Sequence, residues 1–230
     1  MKGLLHRYSG LSIYVKLIPF LLIYLAIAVI FAPPELINDE IRYVMYAKYM
    51  LNGIYTPHAP NIDLWSGRGY RAFIAPFIFL KAPLILLRLL NPFLLYFSLI
   101  IFCNTVKIYI SEKAAFTYTL LLALYFPVYM NLRDIKTECL TWFLITLIIY
   151  LFIKISRHKI FSWKTIFLCG FLIAFLAMTK IIFGYVILLM AMEQGHARVL
   201  RGKFNVNLSM RVHQHGVFKD AMSSAARNVA

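Results

Sequence analysis

Long apolar blocks recur along the chain, and polar stretches separate them. The first block runs from about Tyr14 to Ala32, and the others cover about residues 72–90, 93–110, 114–130, 135–153 and 165–192. An α-helix needs about 20 mostly apolar residues to cross a membrane, whereas the strands of a membrane β-barrel are short and alternate in polarity. The pattern therefore predicts an all-α fold, a polytopic transmembrane helix bundle.

The block over residues 72–90 differs from the others because it contains Pro76, Lys81, Pro83 and Arg88. Prolines and charges make it a poor spanning helix. If it does not cross, the basic loop over residues 154–164 falls on the inner side, as the positive-inside rule requires. We therefore expect an interfacial or re-entrant element on the outer side, a cytoplasmic N-terminus, and a multi-pass protein of the plasma (inner) membrane.

The polar stretch after the first block begins with a predicted helix. Asn38 or Asp39 can cap it, Gly53 can end it, and the residues between have apolar helical spacing. We expect an outer juxtamembrane helix that lies along the interface. Further on, the chain becomes polar and basic, so residues 1–192 are predicted to form the membrane-embedded module and residues 193–230 a disordered basic tail.

The charge balance excludes some functions. The net charge is +15, and the Lys and Arg residues lie between apolar blocks, where they orient helices and contact anionic lipid. A nucleic-acid partner is not expected, since such a protein would cluster its cations on one soluble face. Cys103, Cys139 and Cys169 lack CxxC spacing, which favours buried thiols over disulfides or metal ligands. No cofactor is expected, and no motif requires a divalent metal, although one is not excluded.

The acidic residues are few and concentrated. Four of the nine lie in the first loop, at Glu35, Asp39, Glu40 and Asp63. Ionisable groups at a membrane edge are costly, which favours a functional role for the adjacent Asp39 and Glu40. The alternative is that they only cap the helix and complement its dipole.

Three further sequence features carry candidate chemistry. In the segment GRGYR, Gly67 and Gly69 would let backbone approach a ligand, and Arg68 and Arg71 could bind phosphate. The alternative is a turn at a helix entry. Glu138 lies about one turn into an apolar block, and Lys180 interrupts another. In the topology preferred above, both lie on the outer face with Arg133, where cations beside carboxylates suit a lipid-phosphate substrate. The alternative is local ion pairing.

The order of these motifs resembles the N-terminal half of the GT-C glycosyltransferases, the protein O-mannosyltransferase and aminoarabinose-transferase-like group. The tracts that carry the resemblance lie between about Leu17 and Ile187, and the usual GPGYP of the family is GRGYR here. They are NDEIRYVMYAKYMLNGIY, GRGYRAFIAPF, LRDIKTECLTWFLITLIIYLF and GFLIAFLAMTKIIFGYV. Proteins of that group are much longer, so we expect a truncated and inactive copy as one outcome.

The resemblance implies a membrane glycosyltransferase that moves a sugar from a polyprenyl-phosphate donor to a lipid, glycan or protein acceptor at the outer face. It implies that Asp39 is the catalytic base, with Glu40 beside it and Glu138 as a further catalytic carboxylate. Lys180 is expected near the lipid phosphate, and we assign Arg68, Arg71 and Arg133 to the same role. Two alternatives stay open, a small-molecule transporter with its acids on broken helices and a non-catalytic membrane scaffold.

Overall fold

The computed structural model describes residues 11–54, 67–158, 162–187 and 189. The chain divides into two compact units, Met1–Gly184 and Tyr185–Ala230. Everything described below belongs to the first unit. The predicted tail over residues 193–230 and Asp63 of the first loop lie outside the described residues.

The described residues form helices joined by turns and irregular segments and contain no strand, which confirms the all-α prediction. In chain order the helices are α1 (Ile13–Lys16), α2 (Ile18–Ile30), α3 (Asp39–Leu51), α4 (Arg68–Phe79), α5 (Leu84–Val106), α6 (Glu112–Ala123), α7 (Phe126–Tyr129), α8 (Glu138–His158) and α9 (Trp163–Thr179). Among the described residues, two helices are long and apolar enough to cross a membrane, α5 and the part of α8 over Glu138–Arg157.

The predicted boundaries of two apolar blocks are wrong. Residues 72–90 are not one element, because α4 ends at Phe79 and a turn at Lys81, which has a φ of 53°, leads into α5. Residues 84–106 instead form one helix that passes through Pro92. Proline costs about 3 kcal/mol inside a helix, and the burial of side chains along the whole of α5 offsets that cost.

The predicted span over residues 114–130 is also divided. Helix α6 ends at Ala123, and the short α7 follows after a break at Leu124 and Tyr125. Twelve residues of α-helix rise roughly 18 Å, well short of the roughly 30 Å apolar core of a bilayer. Apolar composition predicted the helix, but Pro127 limits its length, since proline lacks the N–H that a continuing helix needs.

Helix α5 lies at the centre of the unit. It packs against α2, α6 and α8, while α9 packs against α8 and α4, and α3 packs against α4. One apolar cluster joins α3, α4, α5, α8 and α9 around buried residues such as Ile74 and Leu87. A second cluster joins α2 and α5 to the segment from α6 to α8 around Tyr24 and Leu99. The two clusters share α5 as their common wall.

The bundle has two ends of different chemistry. At one end, called here the carboxylate end, lie the buried acids Glu40 and Asp134 together with Glu138. Helices α3 and α8 begin there, and α9 ends there. At the other, called the basic end, the guanidinium of Arg157 lies 4.9 Å from the ring centre of Tyr109, which joins the last turns of α8 to the turn after α5. Helices α5 and α8 therefore run parallel, both from the carboxylate end to the basic end.

Helix α3 has the extent that the sequence predicts, but its start is built differently. Asn38 occupies the N-cap position without a side-chain hydrogen bond. The backbone N–H of Ile37 instead donates to Glu40 Oε2 at 3.0 Å, so a carboxylate from the first turn reaches back to the chain before the helix. Gly53 ends the helix with a φ of 75°, and the N–H of Ile54 donates to the carbonyl of Tyr49 at 2.9 Å, as in a left-handed helix end.

The two glycines at the start of α4 allow a close approach to the end of α9. A Cβ at Gly69 would lie 2.6 Å from Thr179 Oγ1 and 2.8 Å from the backbone nitrogen of Thr179. A Cβ at Gly67 would collide with the carbonyl oxygens of Met178 and Thr179. The glycines therefore bring two backbones together and fix the end of α9 against α4.

We expect Gly67→Ala to destabilise the protein by about 1–3 kcal/mol, the usual cost of overpacking, because the obstructing atoms belong to backbone. Gly170→Ala in α9 is the matched control, since a Cβ there meets nothing within 4 Å. That control should leave stability unchanged or raise it by up to about 1 kcal/mol, because alanine favours helix over glycine. Thermal unfolding in detergent measures both, and equal effects of the two variants would contradict the close approach.

Candidate functional site

Glu40 is completely buried and fully paired. Its Oε2 accepts from Arg88 Nη2 at 3.0 Å and its Oε1 from Arg88 Nε at 3.3 Å. Oε1 also accepts from the backbone N–H of Ile135 at 2.6 Å, and Oε2 accepts from the N–H of Ile37 described above. A carboxylate with four donors on its two oxygens is a structural anchor, and no part of it faces solvent.

Arg88 completes this network and is the main residue that sequence reasoning missed. Its side chain is 3% exposed. Besides Glu40, it donates to the carbonyl oxygens of Pro33 and Glu35. In the sequence, Arg88 interrupts an apolar block and indicates only that the block is a poor spanning helix. The signal that could have found it is the charge itself, since a buried arginine needs a buried acid.

Asp39 points elsewhere, although it is the neighbour of Glu40. Consecutive residues of an α-helix point about 100° apart, so only one of the two can face the interior. The side chain of Asp39 is 49% exposed and pairs with Arg42, one turn along α3. Of the two adjacent acids, Asp39 is therefore the one that a ligand can reach.

A cavity of about 310 Å³ opens at the carboxylate end, where the starts of α4 and α8, the first turns of α3 and the end of α9 meet. Its lining includes both polar side chains and two isoleucines. The lining residues are Tyr43, Gly67, Thr137, Glu138, Thr179, Lys180, Ile181 and Ile182. The structure thus brings Glu138 and Lys180, both predicted from sequence, to one cavity.

Glu138 and Lys180 form an ion pair in this cavity. Lys180 Nζ donates to Glu138 Oε1 at 2.9 Å. The side chain of Glu138 is 31% exposed and that of Lys180 is 34% exposed. Lys180 lies on a break between helical segments, because its backbone is extended, with φ −134° and ψ 111°. The break lets the ammonium turn into the cavity, although the residue lies in an apolar stretch of sequence.

Tyr43 connects Asp39 to the cavity. It follows Asp39 by one helical turn and lines the cavity that contains Glu138. The pKa of Tyr43 is raised above its ordinary value, and burial is the largest cause. The negative charges of Glu138 and Asp39 also raise this pKa, whereas a hydrogen bond with the Thr137 side chain lowers it. Tyr43 therefore keeps its proton at neutral pH, and both carboxylates lie close enough to act on it.

The predicted arginines lie at different places. Arg68 is partly buried in the first turn of α4, directly after Gly67. Arg71 is 2% exposed, and its guanidinium lies 4.1 Å from the ring centre of Tyr46. Arg133 pairs with Asp134 at 3.5 Å and lines a separate apolar cavity of about 470 Å³ beside α2 and α7. Arg68 directly follows Gly67, which lines the cavity that contains Lys180.

Asp134 belongs to the framework of the carboxylate end. Its side chain is 4% exposed and pairs with Lys136 at 2.7 Å, and its backbone carbonyl accepts from the Asn91 side chain at 2.6 Å. The three cysteines are buried and free. Within the described parts of the chain, no three His, Cys, Asp or Glu side chains come together as a possible metal site.

A scan against protein-family models, a search of curated proteins and a search of solved structures found no match to this chain.

We expect Arg88→Met to destabilise the protein by about 3–5 kcal/mol, because it leaves the Glu40 carboxylate buried without its counter-charge. The double variant Glu40→Gln/Arg88→Met should recover much of that loss, since it removes both charges. Chemical unfolding in detergent measures the difference between the single and the double variant.

Arg42→Met is the matched control, since it removes the same side chain from the half-exposed pair with Asp39. Such pairs contribute roughly 0–1 kcal/mol. If Arg88→Met and Arg42→Met have the same effect, Glu40 does not depend on Arg88.

Proposed function

We propose that the protein is an integral membrane glycosyltransferase that uses a polyprenyl-phosphate-linked sugar. The proposal that the protein lies in a membrane is supported by the two long apolar helices α5 and α8 and by the apolar side chains that the structure leaves exposed. Of the most apolar 18-residue window of α8, only 33% is buried, unlike the core helix of a soluble protein. Large apolar side chains such as Ile30, Phe79 and Trp163 are each more than 70% exposed, which suits contact with lipid.

The observation that carries the enzymatic part is the ion pair of Glu138 and Lys180 in an open cavity. A charged pair in so apolar a chain is costly to retain unless it is used. Lys180 is partly exposed, so an incoming phosphate can replace Glu138 as its partner. Gly67 lines the same cavity, and its close contact with the backbone of Met178 and Thr179 holds the end of α9, and so Lys180, at that cavity.

In the proposed reaction, the acceptor hydroxyl attacks the anomeric carbon of the donor sugar. The new bond joins the acceptor oxygen to that carbon, and the bond from the carbon to the phosphate oxygen breaks. Polyprenyl phosphate leaves with the electron pair, and Lys180 stabilises its charge. Asp39 takes the proton of the acceptor hydroxyl as general base. Glu40 is not assigned a chemical step, because its carboxylate is buried and its four hydrogen bonds occupy it.

A small-molecule transporter is the second candidate, and the helix break at Lys180 favours it. Helix α9 ends at Thr179, and residues 181–184 are helical again. Transporters use such breaks to expose polar groups to their substrates. Vesicles that contain the protein separate the two functions, since a transporter moves a labelled solute across the bilayer without consuming a sugar donor.

We expect Lys180→Met to weaken the binding of a short-chain polyprenyl phosphate about 10- to 100-fold, the range that loss of a charged hydrogen bond gives. Methionine keeps much of the apolar stem but cannot pair with an anion. Glu138→Gln should strengthen binding, because it removes the competitor for Lys180. Titration in detergent with a fluorescent lipid measures both.

Lys48→Met is the control for that titration, since Lys48 is an exposed lysine in the last turn of α3 and does not line the cavity. Equal affinity of the wild type, Lys180→Met and Lys48→Met would exclude the cavity as the phosphate site and would leave the transporter and scaffold interpretations.

We expect Asp39→Asn to reduce the transfer of sugar from a polyprenyl-phosphate donor by about 100- to 10,000-fold, the usual loss with a general base, while lipid binding is unchanged. Release of polyprenyl phosphate measures the rate. Glu35→Gln removes another exposed acid of the same loop and should retain the wild-type rate. Turnover by Asp39→Asn at the rate of Glu35→Gln would show that Asp39 is not the base.

A further inference from the structure

A third cavity, of about 190 Å³, lies at the basic end of the bundle, far along α8 from Glu138. It is formed by the last turns of α8 and the first turns of α9. Leu151, Lys154, Ile155, Thr165 and Leu168 line it. Its walls are aliphatic, and one ammonium and one hydroxyl lie among them.

The ammonium of Lys154 is available to a ligand. It lies 5.8 Å from the ring centre of Tyr150, and within the described ranges no carboxylate forms a salt bridge with it. The side chains of Lys154, Arg157 and Lys164 are all exposed. Residues 154–164 include four basic residues and no acid. The cavity therefore opens beside a local excess of positive charge.

We propose that this cavity binds an anionic phospholipid, with the lipid phosphate at Lys154 and the upper part of one acyl chain against Leu151, Ile155 and Leu168. Basic pockets between helices at a membrane surface recognise such headgroups. The aliphatic side chains match an acyl chain, and the Thr165 hydroxyl can donate to the phosphate or ester oxygens. Both parts of an amphipathic lipid thus meet complementary groups within one cavity.

The proposal differs from the general attraction between basic loops and anionic membranes. General attraction depends on total charge, so any exposed lysine at the basic end would contribute equally. A lipid held in the cavity depends on Lys154 more than on other lysines, and it also depends on the space beside Leu168. The proposal is independent of the glycosyltransferase function, since the two cavities lie at opposite ends of α8.

The test is native mass spectrometry of the detergent-solubilised protein with an equimolar mixture of phosphatidylglycerol and phosphatidylcholine. The wild type should retain phosphatidylglycerol in preference. Lys154→Gln should weaken that retention about fivefold, the effect of one cation near an anionic headgroup. Lys113→Gln is the matched control, because Lys113 is an exposed lysine in the first turn of α6 and does not line the cavity.

Leu168→Trp fills the cavity and leaves every charge in place. It should reduce phosphatidylglycerol retention at least as much as Lys154→Gln does, and thermal unfolding would verify that the variant is folded. Equal losses in Lys154→Gln and Lys113→Gln would reduce the effect to general charge attraction and overturn the proposal. Wild-type retention in a folded Leu168→Trp variant would place the lipid outside the cavity and would overturn it as well.

Discussion

The buried ion pair of Glu40 and Arg88 is the constraint on which the rest of the carboxylate end depends. Each charge would be unstable in an apolar interior unless its polar atoms were paired. The Glu40 carboxylate therefore accepts hydrogen bonds from two backbone N–H groups, and the Arg88 guanidinium donates to two backbone carbonyl oxygens. Those four backbone groups belong to the segment before α3 and to the segment before α8. One ion pair thus fixes two irregular stretches of chain against α5, and these stretches lie directly before α3 and α8.

This anchor explains how two adjacent acids have different roles. Because Glu40 is fixed in the interior, the turn of the helix directs Asp39 toward the open side of α3. Tyr43 lies one turn further and reaches the cavity at which α8 begins. The position of Asp39 relative to Glu138 is therefore set by the buried pair and not by contacts of Asp39 itself. A variant that disturbs Arg88 would move the candidate base without touching it.

Local features of the sequence predicted local structure well. Helical spacing predicted α3, and Gly53 predicted its end, because only the nearest residues decide these features. The partner of Glu40 lies 48 residues away, and no periodicity reports such a pairing. Pro92 shows the same limit of local prediction. A proline is expected to end a helix, but α5 continues through Pro92 because the helix is buried by its neighbours. The convergence of Glu138 and Lys180 also depends on distant packing, because the glycines of α4 hold the end of α9 in place.

Lys180 shows why a charge in an apolar block needs a structure to interpret it. If α9 continued without a break, the lysine would face lipid or the apolar cluster and would have to extend to the membrane surface. The extended backbone at Lys180 instead ends the helix one residue earlier and directs the ammonium to Glu138. The resulting pair carries no net charge, so it is tolerated near apolar surroundings. If an anion such as a phosphate displaced the carboxylate from Lys180, its binding would free the acid of Glu138 beside it.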